Sequence, residues 1–252
     1  MKQSHNRVSD GLRDLLFPPK CVGCGELLEP FRSGPHRPGP DVFCPICRAA
    51  FDTAVQAHRL AAPEIGPSDC PGALRRVSLI SYHPDDPDGV PQRVVYCLKH
   101  QNDSRVFDRI GTSLADAVRP CLRESGAGLS DVICAYPPRR AATARREGVD
   151  QAKQLSRRVA AHLGTACVAL FARSDRTRTE QKDLGAADRA AHAQSVYRLK
   201  PGRADAVKGK TVILVDDLCT TGATLARLTE LVTSAGAAGV VWATVGQTRG
   251  GR

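Results

Sequence analysis

Aromatic residues make up only 4% of the 252-residue chain, with one Trp, four Tyr and six Phe, so a surface that reads single-stranded bases by stacking has few side chains to draw on. No apolar run approaches the roughly 18 residues of a membrane-spanning helix, and no membrane insertion is expected. The start MKQSHNRVSD has no apolar core of a secretory signal, which points to a cytoplasmic protein. Acidic residues are outnumbered 26 to 36 by basic ones, and 28 of those 36 are Arg, whose planar guanidinium clasps phosphate in two-point fashion. The formal charge of +10 therefore suits phosphate or polyanion ligands.

Cysteine is not scarce. Ten cysteines in a reducing compartment favour metal binding over disulfides, and four of them are spaced for it. Cys21 and Cys24 in CVGCG, with Cys44 and Cys47 in CPIC, have the spacing of a tetrathiolate zinc site. Two residues between paired thiols let both sulfurs face one ion, and four thiolates leave no open position, so one structural zinc is expected. Cys70, Cys97, Cys121, Cys134, Cys167 and Cys219 are scattered and take no assigned role.

The stretch from Cys21 to about Pro71 is rich in Pro, Gly and Cys and reads as loops held by the metal, after a short helix over Val8 to Phe17 that Pro18 and Pro19 stop. Beyond Ala73, short β-branched runs alternate with helical patterns, the mark of βαβ units in a parallel sheet. The strands expected are RVSLISYH, DVICAYP, CVALFAR, KTVILVDD and GVVWATVGQT. The helices expected are Arg105 to Glu124, Val149 to Leu163 and Ala223 to Ala235, stopped by Gly126, Gly164 and Gly236. The division is thus an N-terminal helix and zinc-ribbon-like module over 1–72 and an α/β domain over 73–252.

The stretch VILVDDLCTTGATLARL carries the chemistry. Asp216 and Asp217 follow four apolar residues, as in a Walker B strand, and KGKT at Lys208 to Thr211 looks like the end of a P-loop. The order rejects an NTPase: KGKT precedes its strand, and a P-loop would need Gly where Ala204 stands. A phosphosugar at the carboxyl end of a parallel strand fits better. Asp216 and Asp217 can accept hydrogen bonds from vicinal hydroxyls or face a hydrated Mg²⁺. Thr220, Thr221, Gly222, Ala223 and Thr224 can wrap a phosphate at the start of a helix.

VILVDDLCTTGAT resembles the phosphoribosyl-pyrophosphate (PRPP) signature of type I phosphoribosyltransferases, which implies the ribose hydroxyls on Asp216 and Asp217 and the 5-phosphate on Thr220 to Thr224. The resemblance extends to the ComF family of competence-associated, phosphoribosyltransferase-like proteins. LLFPPKCVGCG at Leu15 to Gly25, VVYCLKH at Val94 to His100, DVICAYPPRRAATARREGVDQAKQL at Asp131 to Leu155, and RTRTEQKDLGAADRAAHAQSVYRL at Arg176 to Leu199 match its parts in order. It implies a mostly parallel five-stranded type I phosphoribosyltransferase-like sheet flanked by helices, with a small zinc-binding module. The family's second cysteine set is reduced here to Cys70, and its RGFNQ segment reads REGVDQ, with Asp150 in place of Asn.

Arg139 and Arg140 follow a predicted strand at a helix start and suit a pyrophosphate, with Arg145 and Arg146 nearby; a solvated basic helix start or a nucleic-acid patch is the alternative. Arg176, Arg178, Gln181 and Lys182 lie in a polar stretch expected to act as a lid. Purine salvage enzymes of this fold carry an acid where this chain has Thr220, and a hydroxyl is too weak a base to replace it near pH 7. His100 and His192 are read as surface or packed residues rather than catalysts. Two functions follow: an enzyme that binds Mg·PRPP and transfers ribosyl phosphate, and a non-catalytic protein that binds a nucleotide or single-stranded DNA and acts with partners in DNA uptake or processing.

Overall fold

The computed structural model describes residues 18–28, 41–61, 70–86, 88–140, 150–173 and 196–248. The helix expected at Val8 to Phe17 lies outside them. In chain order the described elements are α1 (Pro45–Ala61), β1 (Ala73–Tyr82), α2 (Val90–His100), α3 (Ser104–Glu124), a 3₁₀ turn (Leu129–Asp131), β2 (Val132–Ala135), α4 (Gln151–Leu163), β3 (Ala166–Cys167), β4 (Phe171–Arg173), β5 (Tyr197–Leu199), β6 (Thr211–Cys219), α5 (Ala223–Ser234) and β7 (Gly239–Thr248). Among the described residues, no helix is long and apolar enough to cross a membrane.

Five strands form a parallel sheet in the order β1-β7-β6-β2-β3. Such sheets are covered on both faces, so their strands read as nearly continuous apolar runs. Val212 to Val215 in β6 and Val240 to Ala243 in β7 are all buried. Alternation along β6 sends Ile213 and Val215 into one cluster with residues of α1 to α4, and Val212 and Leu214 into another with α5 and Trp242. β6 thus sits mid-sheet, and its carboxyl end opens onto the site.

Two expectations are corrected. The stretch after Cys44 is not loop: α1 begins at Pro45, where the missing N–H costs a helix nothing. Its Cys47, Phe51 and His58 are buried, and Phe51 stacks on Phe43 at 5.1 Å. The Pro- and Gly-rich segments on either side hid this Ala-rich amphipathic run. CVALFAR is not one strand either. Ala166–Cys167 joins the sheet, the Leu170 N–H then turns back to the Val168 carbonyl, and Phe171–Arg173 pairs antiparallel with Tyr197–Leu199.

The expected helix stops hold. Gly126, Gly164 and Gly236 all have positive φ, and the Gly164 N–H closes the end of α4 on the Ala160 and Ala161 carbonyls. The cysteine module is packed onto the sheet, since Cys21, Val42, Phe43, Cys47 and Phe51 share a buried cluster with Leu79 and Ile80 of β1 and Leu98 of α2. Arg109 of α3 adds ion contacts to Asp41 and Asp52 of the module.

Candidate functional site

At its carboxyl end β6 stops burying its side chains: Val215 is fully buried, and Asp216, Asp217 and Leu218 are half-buried. Each carboxylate is partly spent locally. Asp216 Oδ1 accepts the Asp217 N–H at 2.9 Å, and Asp217 Oδ1 accepts the Leu218 N–H at 2.8 Å. Burial, and then the charge of Asp217, push the Asp216 carboxyl well above the usual carboxylate range. Two acids held this close call for a cation or for hydroxyl donors.

The turn that follows is shaped for an anion. Gly222 has φ 74° and provides no side-chain cap to α5. A Cβ there would stand 3.0 Å from Trp242 Cζ3, so both backbone angle and space require glycine. Trp242 is held in turn by its Nε1–H bond to Thr229 at 2.8 Å. The Thr221 hydroxyl takes only a long 3.4 Å bond from the Ala223 N–H. The first turn of α5 has no acidic residue, which leaves its positive end open to phosphate. Thr220 and Thr221 are exposed, and Ala223 and Thr224 are half-buried. Thr220 to Leu225 line a small hollow together with Asp216.

Beside it lies a cleft, open to solvent, lined by Pro137, Pro138, Arg139, Gln151, Ala152, Arg173, Tyr197, Asp216, Asp217 and Thr224. The structure therefore brings Asp216, Asp217, Thr224 and Arg139 together. Arg140 does not line this cleft, although its charge reaches Tyr197. Arg145, Arg146, Arg176, Arg178, Gln181, Lys182 and His192 lie outside the described residues. His100 lies with its ring tilted against that of Tyr96, centroids 4.6 Å apart, at the end of α2. Lys210 of KGKT bonds Asp131 at 2.9 Å, at the opposite end of β6 from the acids.

Four participants were given no site role from sequence. Arg173 donates to the Tyr197 hydroxyl at 2.9 Å, and the two meet because β4 and β5 pair across a long stretch of chain. Burial raises the Tyr197 phenol, against the pull of Arg173. Asp150 caps α4 by accepting the Lys153 N–H at 3.1 Å. Burial raises its carboxyl, with Arg139 opposing and Asp217 reinforcing. Gln151 is 1% exposed at the first position of α4. A cap signal, Asp followed by a helical pattern, was readable for Asp150; nothing local marks the others.

The second site is the cysteine cluster. The sulfurs of Cys21, Cys24, Cys44 and Cys47 all lie within 4.8 Å of one another, and Cys24 and Cys44 are 3.8 Å apart. Zn–S bonds of about 2.3 Å in a tetrahedron set sulfurs about 3.8 Å apart, so the cluster fits zinc. Cys21 Sγ accepts the Cys44 N–H at 3.2 Å. Burial raises the Cys21 thiol, but N–H groups of Cys44, Cys24 and Gly23 outweigh it and bring it down to about 7. Bound there, zinc would join the two cysteine pairs in a closed structural site.

Residues 143–251 match the phosphoribosyl transferase domain family. That match and the five-stranded parallel sheet with its flanking helices make this a type I phosphoribosyltransferase-like fold. No curated protein matches the chain. Among solved structures it is similar to an allosteric regulatory enzyme of purine biosynthesis (16% identity, 60% of this chain and 30% of that one, TM-score 0.37). It is similar also to the B. subtilis glutamine PRPP amidotransferase (18%, 59% and 30%, TM-score 0.37) and to the Leishmania tarentolae adenine phosphoribosyltransferase (21%, 56% and 56%, TM-score 0.34). The chain spans less than a third of the first two and about half of the third.

Proposed function

We propose that the cleft binds Mg·PRPP or a related phosphosugar or nucleotide, and that the protein transfers its ribosyl phosphate. The observation that carries this reading is the meeting of Asp216, Asp217 and Thr224 with Arg139 around one cleft at the carboxyl edge of a parallel sheet. Thr220 to Thr224 take the 5-phosphate at the uncapped start of α5. Asp216 and Asp217 take the ribose hydroxyls or, through water, the Mg²⁺ that accompanies the substrate. Their crowded charges favour either partner. Arg139, with Arg140 next to it in the chain, neutralises the pyrophosphate, and Arg176, Arg178, Gln181 and Lys182 belong to the lid of this scheme.

In the transfer, the C1–O bond to pyrophosphate breaks with its electron pair leaving on oxygen, and the lone pair of an incoming nucleophile forms the new bond to C1. The reaction needs charge neutralisation and a rigid sugar, which these residues supply. Thr220 supplies no base, so the fitting acceptor is one that does not depend on an acid at that position.

The ComF-like part of the reading, with its link to competence, DNA-processing partners and single-stranded DNA, rests on the sequence resemblance and the charge of +10. Calorimetric titration with PRPP and Mg²⁺ tests the central proposal, followed by pyrophosphate release across a panel of bases. Absence of PRPP binding would overturn it. Single-stranded DNA binding that does not weaken with salt would argue against the nucleic-acid part.

A further inference from the structure

Gln151 opens α4, and its Nε2 donates to the Lys99 carbonyl at 3.0 Å. That carbonyl is one of the last four of α2, which have no partner within their own helix. Since Lys99 offers an acceptor there, turning the amide over would set two oxygens against each other. The orientation is therefore fixed, and it leaves Oε1 buried with no hydrogen-bond partner among the described residues. A buried unpaired acceptor is costly, and where its residue lines a cleft a ligand donor would relieve that cost.

Gln151 lines the same cleft as Asp216 and Asp217. Each of those carboxylates has committed Oδ1 to a backbone N–H, so what they and Gln151 have left to offer is acceptors. An ionised phosphate or pyrophosphate has only acceptors to give back, whereas the donors of a phosphosugar are its ribose hydroxyls. We propose that Gln151 is a specificity-determining residue whose Oε1 accepts a hydrogen bond from a ribose hydroxyl, so that the cleft selects ribose phosphates over deoxyribose phosphates. This rests on the phosphosugar reading of the cleft. It adds to the acidic pair a neutral acceptor held in place by another helix, and it makes docking of α2 part of sugar recognition.

The test compares binding of ribose 5-phosphate, 2-deoxyribose 5-phosphate and 3-deoxyribose 5-phosphate to the full chain and to Gln151→Met. Gln92→Met is the control, because Gln92 makes a similar bond to the His83 carbonyl, also leaves Oε1 unpartnered, and does not line the cleft. The full chain and Gln92→Met should prefer ribose 5-phosphate over at least one deoxy sugar by about tenfold, and Gln151→Met should bring that ratio below about threefold. An unchanged ratio in Gln151→Met would overturn the assignment while leaving the phosphosugar reading intact. Failure of the full chain to bind any of the three sugars would overturn both. Should Gln151→Met not fold, the side-chain amide resonance of Gln151 in the full chain decides: it should shift with ribose 5-phosphate and not with the discriminated deoxy sugar, and equal shifts would refute the claim.

Discussion

At the β6–α5 crossing the helix begins at a glycine with no side-chain cap, whereas across the cleft α4 begins with one amide, the Lys153 N–H, already engaged by Asp150. The first crossing leaves N–H groups, hydroxyls and an acidic pair for a ligand. The second presents Arg139, a carboxylate already in use and a buried glutamine. Under the proposed function, the first side would hold phosphate through backbone and the second would read the rest of the molecule through side chains. A capped helix start binds anions poorly, because the cap occupies the donors and adds negative charge.

That contrast can be broken most forcefully at the acids. Asp216→Asn with Asp217→Asn should weaken Mg·PRPP binding by about 100-fold or more, since two charge-assisted partners are lost. Asp150→Asn should change it by less than about threefold, because Asn caps as well as Asp. Calorimetry on the three proteins checks this, and equal losses would erase the distinction between the crossings.

A smaller effect separates the glycines. Gly222 and Gly164 share φ 74°, but a Cβ on Gly164 meets nothing within 4 Å while one on Gly222 meets Trp242. Gly164→Ala should cost about 1–2 kcal/mol from the left-handed backbone alone, and Gly222→Ala should cost more, as read by urea unfolding. Asp150→Ala should remove about 1 kcal/mol by uncapping α4.

The smallest effect is a rise. The folded-state carboxyl of Asp216 titrates above its unfolded value, so its contribution to stability is present below about pH 4 and lost as pH rises through the folded-state value. Asp216→Asn should therefore raise the melting temperature of the ligand-free protein at pH 7 by about 2–4 °C. The gain should vanish near pH 4. A loss of stability at pH 7 would show that the pair is not strained.

How legible each crossing was follows from where its residues lie in the chain. Asp216 to Thr224 are consecutive, so one strand, one turn and one helix start could be read together. The opposite side is assembled from distant pieces. Arg173 and Tyr197 meet only through antiparallel pairing, and Gln151 acquires its meaning from the Lys99 carbonyl at the end of another helix. The sheet was legible because alternating faces of β6 and β7 are both apolar. The break within CVALFAR was not, since apolar content cannot show where a strand leaves its sheet. The cysteine spacing foretold the cluster, while α1 was hidden by the prolines and glycines that flank it.

Under the proposed function, both crossings hold one phosphosugar. This is tested most directly by following backbone amide resonances of the full chain during titration with Mg·PRPP. The amides of Thr221 to Leu225 and those of Asp150 to Ala152 should shift together and saturate at one concentration. Shifts confined to one crossing, or two different saturation points, would contradict it.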